Sequence, residues 1–521
     1  MLVKTFASTV TGVEAHTITV EVNAGGTVTP KKSYYHLVGL PDSAVKEGFQ
    51  RIETGIKNNN LKMPRMKLVV NLAPANIKKE GSAYDLPIAL GILAASEQLP
   101  ATAVEELSKY IIVGELSLDG SLRPIRGALP MAIQARKEGF KGIILPSQNA
   151  REAAIVNNLE VYGIPNLKDA FNFFKGSLKL DPTKVNTREI FNQSSTKFDV
   201  DFSDVKGQEN IKRALELAAA GGHNVILIGP PGAGKTMLAR RLPTILPPLN
   251  LHEALETTKI HSVAGLLKDN DALVPHRPFR APHHTISDVA LVGGGSHPSP
   301  GEISLAHNGV LFLDELPEFK RTVLEVLRQP MEERRVTISR ARLTVDFPAG
   351  FMLISSMNPC PCGFYNHPEK ECLCAPGVVK RYLNKISGPL LDRIDLHVEV
   401  TPVSYDQLND QNFTSEKSSE IMTRVIRARQ IQEERFQHLE SIFYNAQMSS
   451  NTVKKVCRLN KDCIELLKLS MEKLQLSARA YDRILKVSRT VADLEGKNEI
   501  GIEHLSEAIN YRSLDRDNWA G

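Results

Sequence analysis

Hydrophobic and polar positions in the first third of the chain follow the spacing of short strands and helices in turn. β-Branched or apolar runs predict strands at 16–23, 66–72, 110–113 and 142–145. Apolar residues at helical spacing predict helices at 84–96 and 129–138. This mixture predicts an α/β or α+β domain that covers residues 1–175.

The second part of the chain alternates strands with helices more regularly. Apolar runs predict strands at 224–228, 310–313, 350–355 and 396–400. Strands separated by helices predict a parallel sheet, so the fold class is α/β. Beyond residue 420 the pattern is almost wholly helical, and helices are predicted at 421–436, 462–474 and 478–494.

Polar stretches without a sustained apolar period mark two boundaries. Residues 176–203 are rich in Asn, Ser, Thr and Asp and are predicted to be a linker. A weaker boundary lies at 405–420. We therefore expect a central domain at 204–404 and a helical domain at 405–521.

Composition agrees with several soluble domains. The chain has 521 residues, and about 150 residues per domain gives roughly three domains. Hydrophobic residues make up 42% and charged residues 24%, which excludes disordered, collagen-like and disulfide-miniprotein classes. The net charge of +5 is a mild basic bias that permits a nucleic-acid partner without arguing for one.

Targeting signals are not evident in the sequence. The longest apolar run, 86–95, is shorter than the roughly 20 residues that span a bilayer. We also see no signal peptide in the first residues. Six cysteines in a chain of this size indicate a reducing compartment, so a cytoplasmic protein with no membrane partner is expected.

A phosphate-binding loop is the clearest motif. Residues 229–236 read GPPGAGKT, which fits G-x-x-x-x-G-K-[ST] between a predicted strand and a predicted helix. Its glycines let backbone N–H groups turn toward phosphate oxygens. Lys235 is expected to reach the β- and γ-phosphates and Thr236 to bind Mg²⁺, so the cofactors are ATP and Mg²⁺. The nucleotide-binding residues are Gly229, Pro230, Pro231, Gly232, Ala233, Gly234, Lys235 and Thr236.

Acidic and amide side chains after the next two strands complete an ATPase site. Asp314 and Glu315 directly follow the strand 310–313. We expect Asp314 to hold Mg²⁺ and Glu315 to polarise the attacking water. Asn358, after the following strand, is expected to hydrogen-bond the γ-phosphate or that water.

These motifs resemble those of AAA+ ATPases, in which Asp314 and Glu315 would be the Walker B acids and Asn358 sensor 1. The resemblance implies that Arg393 is an arginine finger for a neighbouring subunit, although a surface ion pair with Asp392 or Asp395 is the alternative. It also implies that Arg479 is the sensor 2 arginine. Val205 and Gln208, in a V-x-G-Q pattern, would contact adenine.

Further segments resemble the magnesium-chelatase-like branch of AAA+, which is grouped with the MCM helicases. They are GEISLAHNGV at 301–310, RQPME at 328–332 and LLDRIDLHVEV at 390–400. The chain as a whole resembles the YifB/ComM family of bacteria over residues 1–515, and FRAPHHTISDVALVGGG and MNPCPCG are more specific to it than the general ATPase motifs. That resemblance implies an N-terminal domain similar to the Lon protease domain (ribosomal S5-like), a central AAA+ domain, a C-terminal helical lid and a homo-hexamer.

Basic residues in two insertions are candidates for DNA contact. The insertion 251–300 carries Arg280, and the family resemblance implies a helix-2 insert that projects toward a hexamer pore. Residues 336–345 alternate and predict a hairpin with Arg340 and Arg342 on one face. Paired arginines can bind DNA phosphates, and a solvated polar face is the alternative. His283 and His284 are not expected to form a metal site, because adjacent residues on a strand point to opposite faces.

Four of the six cysteines lie close together in sequence. Cys360-x-Cys362 and Cys372-x-Cys374 would supply the four thiolates of a structural Zn²⁺ site. His367 is a possible substitute ligand. Free or disulfide-paired thiols are the alternative.

The first domain resembles the proteolytic domain of Lon at residues 70–88 and 114–127. When the two sequences are aligned without gaps, the serine position of Lon's Ser–Lys dyad falls on Ala83, next to Ser82, and the lysine position falls on Leu129. We therefore predict a Lon-like domain without the peptidase dyad.

The favoured function is an ATP-hydrolysing hexameric DNA motor. The family resemblance implies a helicase that aids branch migration and integration of single-stranded or branched DNA in natural transformation or recombination. The alternatives are a magnesium-chelatase-like metal-insertion ATPase and a protein-remodelling ATPase. A protease is disfavoured by the missing dyad, and a scaffold is disfavoured because every ATPase position is filled.

Overall fold

The computed structural model divides the chain into two compact units. Unit 1 comprises residues 1–194 and 251–275, and unit 2 comprises 195–250 and 276–521. The structure describes every residue except 26–34, 188–197, 269–270, 296–297, 341–342, 366, 368, 376, 403–414, 440–441, 475, 513 and 515–521.

A mixed sheet forms the centre of unit 1. Its part of the chain contains the strands β1 (Leu2–Thr11), β2 (Glu14–Ala24), β3 (Tyr35–Val38), β4 (Leu68–Ala73), β5 (Tyr110–Ile112), β6 (Glu115–Leu116), β7 (Leu122–Arg123), β8 (Gly142–Pro146) and β9 (Glu160–Ile164). The main sheet has the order β3-β4-β2-β1-β5-β8-β9, while β6 and β7 pair separately. The pairs β1–β2 and β2–β4 are antiparallel, and the others in the main sheet are parallel.

Helices pack against this sheet. They are Ser43–Asn58, Asp85–Ala95, Ala101–Leu107, Ala128–Lys137, Ala150–Ala153 and Leu167–Lys175. Leu251–Ala264, from later in the chain, packs against the helix Ala128–Lys137. The helix Asp85–Ala95 is buried at all eleven positions. That explains its uninterrupted apolar run, because a helix without a solvent face needs no polar stripe.

Residues 251–275 group with unit 1, although the sequence places them in the ATPase domain. In the helix Leu251–Ala264, the Ser262 hydroxyl donates to the buried Glu152 carboxylate. The Ser262 carbonyl accepts from the Gly127 N–H at 3.2 Å. Local sequence patterns do not predict contacts between residues so far apart in the chain, so these contacts appear only in the folded structure. The domain limits and the pore insert stay predictions.

A five-stranded parallel sheet forms the centre of unit 2. The strands here are β10 (Val225–Ile228), β11 (Phe279–Arg280), β12 (Gly293–Gly294), β13 (Ser299–Pro300), β14 (Val310–Leu313), β15 (Arg335–Arg340), β16 (Leu343–Pro348), β17 (Met352–Met357) and β18 (Leu396–Glu399). The parallel sheet has the order β11-β14-β17-β10-β18, and β12–β13 and β15–β16 are separate antiparallel pairs. The predicted α/β class and parallel sheet are confirmed.

The helices of unit 2 surround the sheet and then continue as a helical region. They are Glu209–Gly221, Lys235–Arg241, Asp288–Val292, Glu302–Leu305, Arg321–Glu325, Arg328–Glu333, Val378–Leu383, Gly388–Leu391, Ser418–Phe436, Ser450–Val456, Lys461–Leu474, Ala478–Leu494 and Ile502–Asn510. The helical character predicted for the end of the chain is confirmed. Among the helices of the described residues, none combines the length and apolar composition that crossing a bilayer requires.

Candidate nucleotide and metal sites

The parallel sheet brings the ATPase motifs to one edge. β10 lies beside β17, which lies beside β14, and Ile228 pairs with Met357 and Leu313 with Ser355. The loop after β10, the acids after β14 and the amide after β17 therefore meet at the carboxyl ends of the strands. Ligands of open α/β sheets bind at this edge.

Lys235 is held against the phosphate-binding loop. Its Nζ donates to the carbonyls of Gly229 at 2.7 Å and Pro230 at 2.9 Å, and to Asn358 Oδ1 at 3.2 Å. Burial lowers the pKa of Lys235, and the nearby carboxylates of Asp314 and Glu315 oppose that shift. The ammonium is thus stored beside the position that phosphate oxygens would occupy.

Each carboxylate oxygen of Asp314 accepts a hydrogen bond from a side-chain hydroxyl. Thr236 Oγ1 donates to Asp314 Oδ2 at 2.7 Å, and the Ser356 hydroxyl donates to Asp314 Oδ1. Thr236 and Asp314 present adjacent oxygen ligands, the type that Mg²⁺ prefers. Ser356 is fully buried and was missed by the sequence analysis. Its signal is its position on β17, two residues before Asn358 and on the strand that borders β14.

Glu315 stands at the mouth of the same cleft. Its backbone is left-handed, with φ of +54°, and its side chain is 56% exposed. His284 Nδ1 lies 3.6 Å from Glu315 Oε2. The cleft is about 400 Å³ and is lined by 231–237, Asp314, Glu315 and 356–358. A carboxylate on this wall can contact a water placed beside a bound phosphate.

A second cleft of about 520 Å³ shares two of these walls. Glu315 and Asn358 line both clefts. The other lining residues are Glu318, Pro361, Val378, Arg381, Tyr382 and Lys385. The Glu315 carboxylate and the Asn358 amide therefore lie between the cleft at the loop 229–236 and a cleft formed mostly by later residues of the chain.

Arg393 lies apart from the described lining of the phosphate cleft. Its Nη2 contacts Glu332 Oε1 at 2.5 Å, and its Nη1 donates to the Pro389 carbonyl at 2.6 Å. Its own carbonyl accepts from Asn224 Nδ2 at 3.1 Å. Neither alternative aspartate, 392 or 395, holds its side chain.

Arg479 is on the first turn of the helix Ala478–Leu494. Its Nη1 contacts Asp392 Oδ2 at 3.1 Å, and its side chain is 64% exposed. Asp392 directly precedes Arg393, so the side chain of Arg479 contacts the residue next to Arg393, the other arginine predicted for catalysis. Arg479 likewise does not line the phosphate cleft in the part of the chain that the structure describes.

A buried charged cluster around Asp395, two residues after Arg393, was not predicted from the sequence. Arg483, one turn after Arg479, contacts Asp395 Oδ1 at 2.9 Å. Asp395 Oδ2 is 3.2 Å from His223 Nδ1 and accepts from the Asn224 N–H at 3.2 Å. Burial raises the pKa of Asp395, but Arg483 and His223 outweigh burial and hold it well below its usual range.

Val205 and Gln208 lie beside the loop. Gln208 Nε2 donates to the Thr401 carbonyl at 2.7 Å and the Ala233 carbonyl at 3.5 Å. Val205 is buried, and its carbonyl accepts from Lys212 Nζ at 2.8 Å. Gln208 thus contacts the phosphate loop directly, while adenine contact by either residue stays a prediction.

The predicted arginine hairpin is present as β15 and β16. Arg340 ends β15 and is exposed, and Arg342 lies outside the described residues. Arg280 is already occupied, because its Nε and Nη2 form a bidentate pair with Glu302 at 2.6 Å and 2.7 Å. DNA contact by these three arginines stays a prediction.

The two adjacent histidines have a different geometry from the one we assumed. His283 and His284 follow the end of β11, and their ring centroids are 4.0 Å apart. The premise of opposite faces is therefore wrong, because the two residues lie in a turn and not on a strand.

The four clustered cysteines converge. Their sulfurs all lie within 4.8 Å of one another. The Cys360–Cys372 and Cys362–Cys372 sulfur separations are 3.7 Å and 3.6 Å, close to the roughly 3.8 Å between sulfurs of a tetrahedral Zn²⁺ site. Burial raises the pKa of Cys362, but hydrogen bonds from the Phe364 backbone and from neighbouring thiols outweigh it and lower that pKa to about 6. Backbone hydrogen bonds lower the pKa values of Cys372 and Cys374, but burial and hydrogen bonds with neighbouring thiols outweigh them and raise both. The electrostatics thus favour thiolate, the form that binds metal, at Cys362, and the case for a metal rests on the convergence of the four sulfurs.

The Lon-like positions of unit 1 contain no serine–lysine contact among the described residues. The Ser82 hydroxyl donates to the Glu115 carboxylate, and Lys79 Nζ donates to the Pro74 carbonyl. Burial lowers the pKa of Lys79. Leu129 is fully buried, and its N–H donates to Glu152 at 2.9 Å. The absence of peptidase activity stays a prediction.

Comparison with known proteins places this geometry in a family. Three family models match, described as "Magnesium chelatase, subunit ChlI" at 201–408, "Subunit ChlI of Mg-chelatase" at 20–149 and "Magnesium chelatase, subunit ChlI C-terminal" at 415–512. The chain is 44% identical to competence protein ComM of Haemophilus influenzae, over 97% of this chain and 96% of that protein. It is 43% identical to YifB of Escherichia coli over the same shares. Lon protease 2 of Bacillus subtilis is 31% identical over 27% of this chain and 26% of its own length.

Proposed function

Because the chain belongs to the magnesium-chelatase-like family that includes ComM and YifB, we propose that it is an ATP-hydrolysing motor that moves on DNA. The arrangement of Lys235, Thr236, Asp314, Glu315 and Asn358 at one sheet edge carries the ATPase part. The name of the relative ComM, a competence protein, and the exposed Arg340 support the DNA part.

Each residue has one task in the proposed hydrolysis. Lys235 leaves the carbonyls of the loop and binds the β- and γ-phosphates. Thr236 and Asp314 hold Mg²⁺, which supplies charge neutralisation on the phosphates when bound. Glu315 accepts a hydrogen bond from the attacking water and aligns it with the γ-phosphate, and Asn358 fixes that water or the γ-phosphate from the opposite side.

The working form is proposed to be a hexamer. A phosphoryl transition state needs an added cation, and neither Arg393 nor Arg479 lines the chain's own described phosphate cleft. Arg479 contacts Asp392, the residue before Arg393, and both arginines can serve the site of a neighbouring subunit. Delivery of Arg393 requires release from Glu332, which is 56% exposed and can turn into solvent.

DNA is the proposed substrate of the motion, in single-stranded or branched form. Arg340, with Arg342 outside the described residues, would bind phosphates from the hairpin β15–β16. Branch migration during natural transformation or recombination is the process that fits a competence protein. Arg280 would first have to leave Glu302, so it is the weakest of the three candidates.

Structural Zn²⁺ is the proposed occupant of Cys360, Cys362, Cys372 and Cys374. Four convergent sulfurs at about tetrahedral separations support this assignment. The N-terminal unit is proposed to be a Lon-like domain without peptidase activity. Protein hydrolysis that Ser82→Ala abolishes would refute the latter.

Steady-state ATP hydrolysis with and without DNA tests the proposal. We expect wild-type turnover that single-stranded or branched DNA increases, nucleotide binding lost in Lys235→Ala, and binding kept but turnover lost in Glu315→Gln. Turnover that no DNA changes would instead favour a protein-remodelling or metal-insertion ATPase. The metal-insertion alternative draws on the chelatase family models, whereas ComM and YifB are among the relatives matched over nearly the whole chain.

A further inference from the structure

We propose that the cysteine segment, described at 359–365, 367 and 369–375, is a wall of the ATP cleft that fixes Asn358 once Zn²⁺ closes it, so that metal occupancy sets the rate of ATP turnover. This inference rests on the proposed ATPase function and on the proposed Zn²⁺ site. It adds a positioning role to residues that would otherwise only stabilise an insertion.

The start of the segment is directly joined to the catalytic amide. Only Pro359 separates Asn358 from Cys360, whose side chain is fully buried. Asn358 Oδ1 accepts from Lys235 Nζ at 3.2 Å. Pro361, between the first two cysteines, lines the second cleft together with Glu315 and Asn358. A shift of the first two ligands therefore moves Asn358.

The middle of the segment touches the phosphate-binding loop. Gly363 follows the second cysteine and has φ of +86°. A Cβ on Gly363 would lie 2.6 Å from Pro231 Cδ and 3.3 Å from Pro231 Cγ. These separations leave no room for a methyl group, so the backbone of the metal segment lies against the Pro231 ring of the phosphate loop at this point.

The chain beyond the segment returns to the same amide residue. The helix Val378–Leu383 places the buried Tyr382 so that its hydroxyl accepts a hydrogen bond from the Asn358 backbone. Burial raises the pKa of Tyr382, and the carboxylates of Glu318 and Glu315 add to that shift. The phenol therefore stays neutral throughout the physiological range.

Zn²⁺ would close a loop that begins next to Asn358 and is followed by the helix Val378–Leu383, whose Tyr382 contacts the Asn358 backbone. With four thiolates tied to one ion, the positions of Pro361 and Gly363 are fixed relative to the phosphate loop. Without the ion, the second cysteine pair no longer restrains the first. Nucleotide affinity depends chiefly on Lys235 and the loop N–H groups, so we expect turnover to suffer more than binding.

The glycine contact allows a test that leaves all four ligands in place. Gly363→Ala adds a methyl group against Pro231, and the matched control is Gly377→Ala. Gly377 has φ of +78° and nothing within 4 Å of its Cβ position, so the control carries the same backbone strain without the clash. We expect Gly363→Ala to lower kcat about tenfold or more and Gly377→Ala to lower it less than about twofold, because small displacements of positioning groups are costly.

A second background separates the contact from a general folding defect. In Pro231→Ala the ring atoms Cγ and Cδ are gone, so adding Gly363→Ala to that background should lower kcat less than about twofold. Equal effects of Gly363→Ala in both backgrounds would overturn the proposed contact. So would wild-type turnover in Gly363→Ala.

Measurements of metal content and nucleotide binding distinguish a failure of this inference from a failure of the proposed ATPase function. We expect about one Zn²⁺ per chain in wild type and in Gly363→Ala, and at least a tenfold lower kcat after the metal is removed with a chelator, with binding of a fluorescent ADP analogue within about threefold. Full turnover of the metal-free protein would overturn the inference while the ATPase proposal stands. Absence of ATP turnover from every form, wild type included, would instead overturn the proposed function.

Discussion

Arg483→Met is expected to lower the free energy of unfolding far more than the same change at Arg479, one turn away. Both arginines contact aspartates that flank Arg393. Arg483 is 21% and Asp395 1% exposed, whereas Arg479 is 64% and Asp392 29% exposed. The difference in burial separates the two pairs.

The magnitude follows from the distance and the burial. At 2.9 Å and an effective dielectric of about 20, the attraction between Arg483 and Asp395 is about 6 kcal/mol. The desolvation of both groups offsets part of it. After Arg483→Met, Asp395 keeps His223, the Asn224 N–H and the charge of Lys486, so we expect a loss of about 3 kcal/mol. For the exposed pair, Arg479→Met should cost no more than about 1 kcal/mol.

Urea unfolding followed by circular dichroism, at several pH values, measures both losses. Arg483 helps to hold the pKa of Asp395 below its ordinary value, so it contributes stability above about pH 4 that is lost as the carboxyl protonates. The cost of Arg483→Met should therefore be largest near pH 7 and shrink toward acid pH. Equal costs for the two variants, or a cost at Arg483 that does not change with pH, would refute this reasoning.

Three further predictions concern other buried groups. Ser356→Ala should weaken the apparent Mg²⁺ affinity of ATP hydrolysis about tenfold, because Asp314 loses an orienting hydroxyl; an unchanged Mg²⁺ dependence contradicts this. Burial lowers the pKa of Lys486 to about 8, so the unfolded state binds more protons than the folded state between pH 8 and pH 10. The free energy of unfolding of the wild type should therefore rise by about 2 kcal/mol relative to that of Lys486→Met between pH 7.5 and pH 10. A pH-independent difference in unfolding free energy would count against it. Cys372→Ser should lower the Zn²⁺ content measured by metal analysis to near zero, and retained metal would exclude Cys372 as a ligand.

Local sequence patterns predicted most of the strands and helices that form the candidate ATPase site. The run 310–313 and the helix 478–494 have the predicted bounds, and the motif 229–236 begins directly after β10 and ends in the first turn of the helix Lys235–Arg241. These features are local because one strand, one turn and one helix start determine them. The strand β17 begins two residues later than predicted, at Met352, because Gly350 and Phe351 precede the ladder.

Contacts between distant residues were beyond reach of the sequence. Strands β1, β3 and β9 and the helix Ser43–Asn58 were missed. The grouping of 251–275 with unit 1 depends on Glu152 and Ser262, which are 110 positions apart. Nothing in a linear period reports such pairing.

The same limit applied to charged residues of the site. Arg280 was predicted from its charge, but its bidentate partner Glu302 lies on a different element. Arg483 was missed because a cation within an amphipathic helix indicates a solvated face unless its partner is known. The convergence of the four cysteines, by contrast, could be predicted from the sequence, because the two pairs are separated by only a short loop that brings them together.

ATP-driven displacement of a strand from branched DNA tests the central claim most directly. Wild type is expected to release the labelled strand with ATP and Mg²⁺. Glu315→Gln should bind the same DNA and nucleotide but release nothing. Displacement by Glu315→Gln at the wild-type rate, or no displacement by a wild-type protein that hydrolyses ATP and binds the DNA, would contradict the account of this chain as a DNA motor.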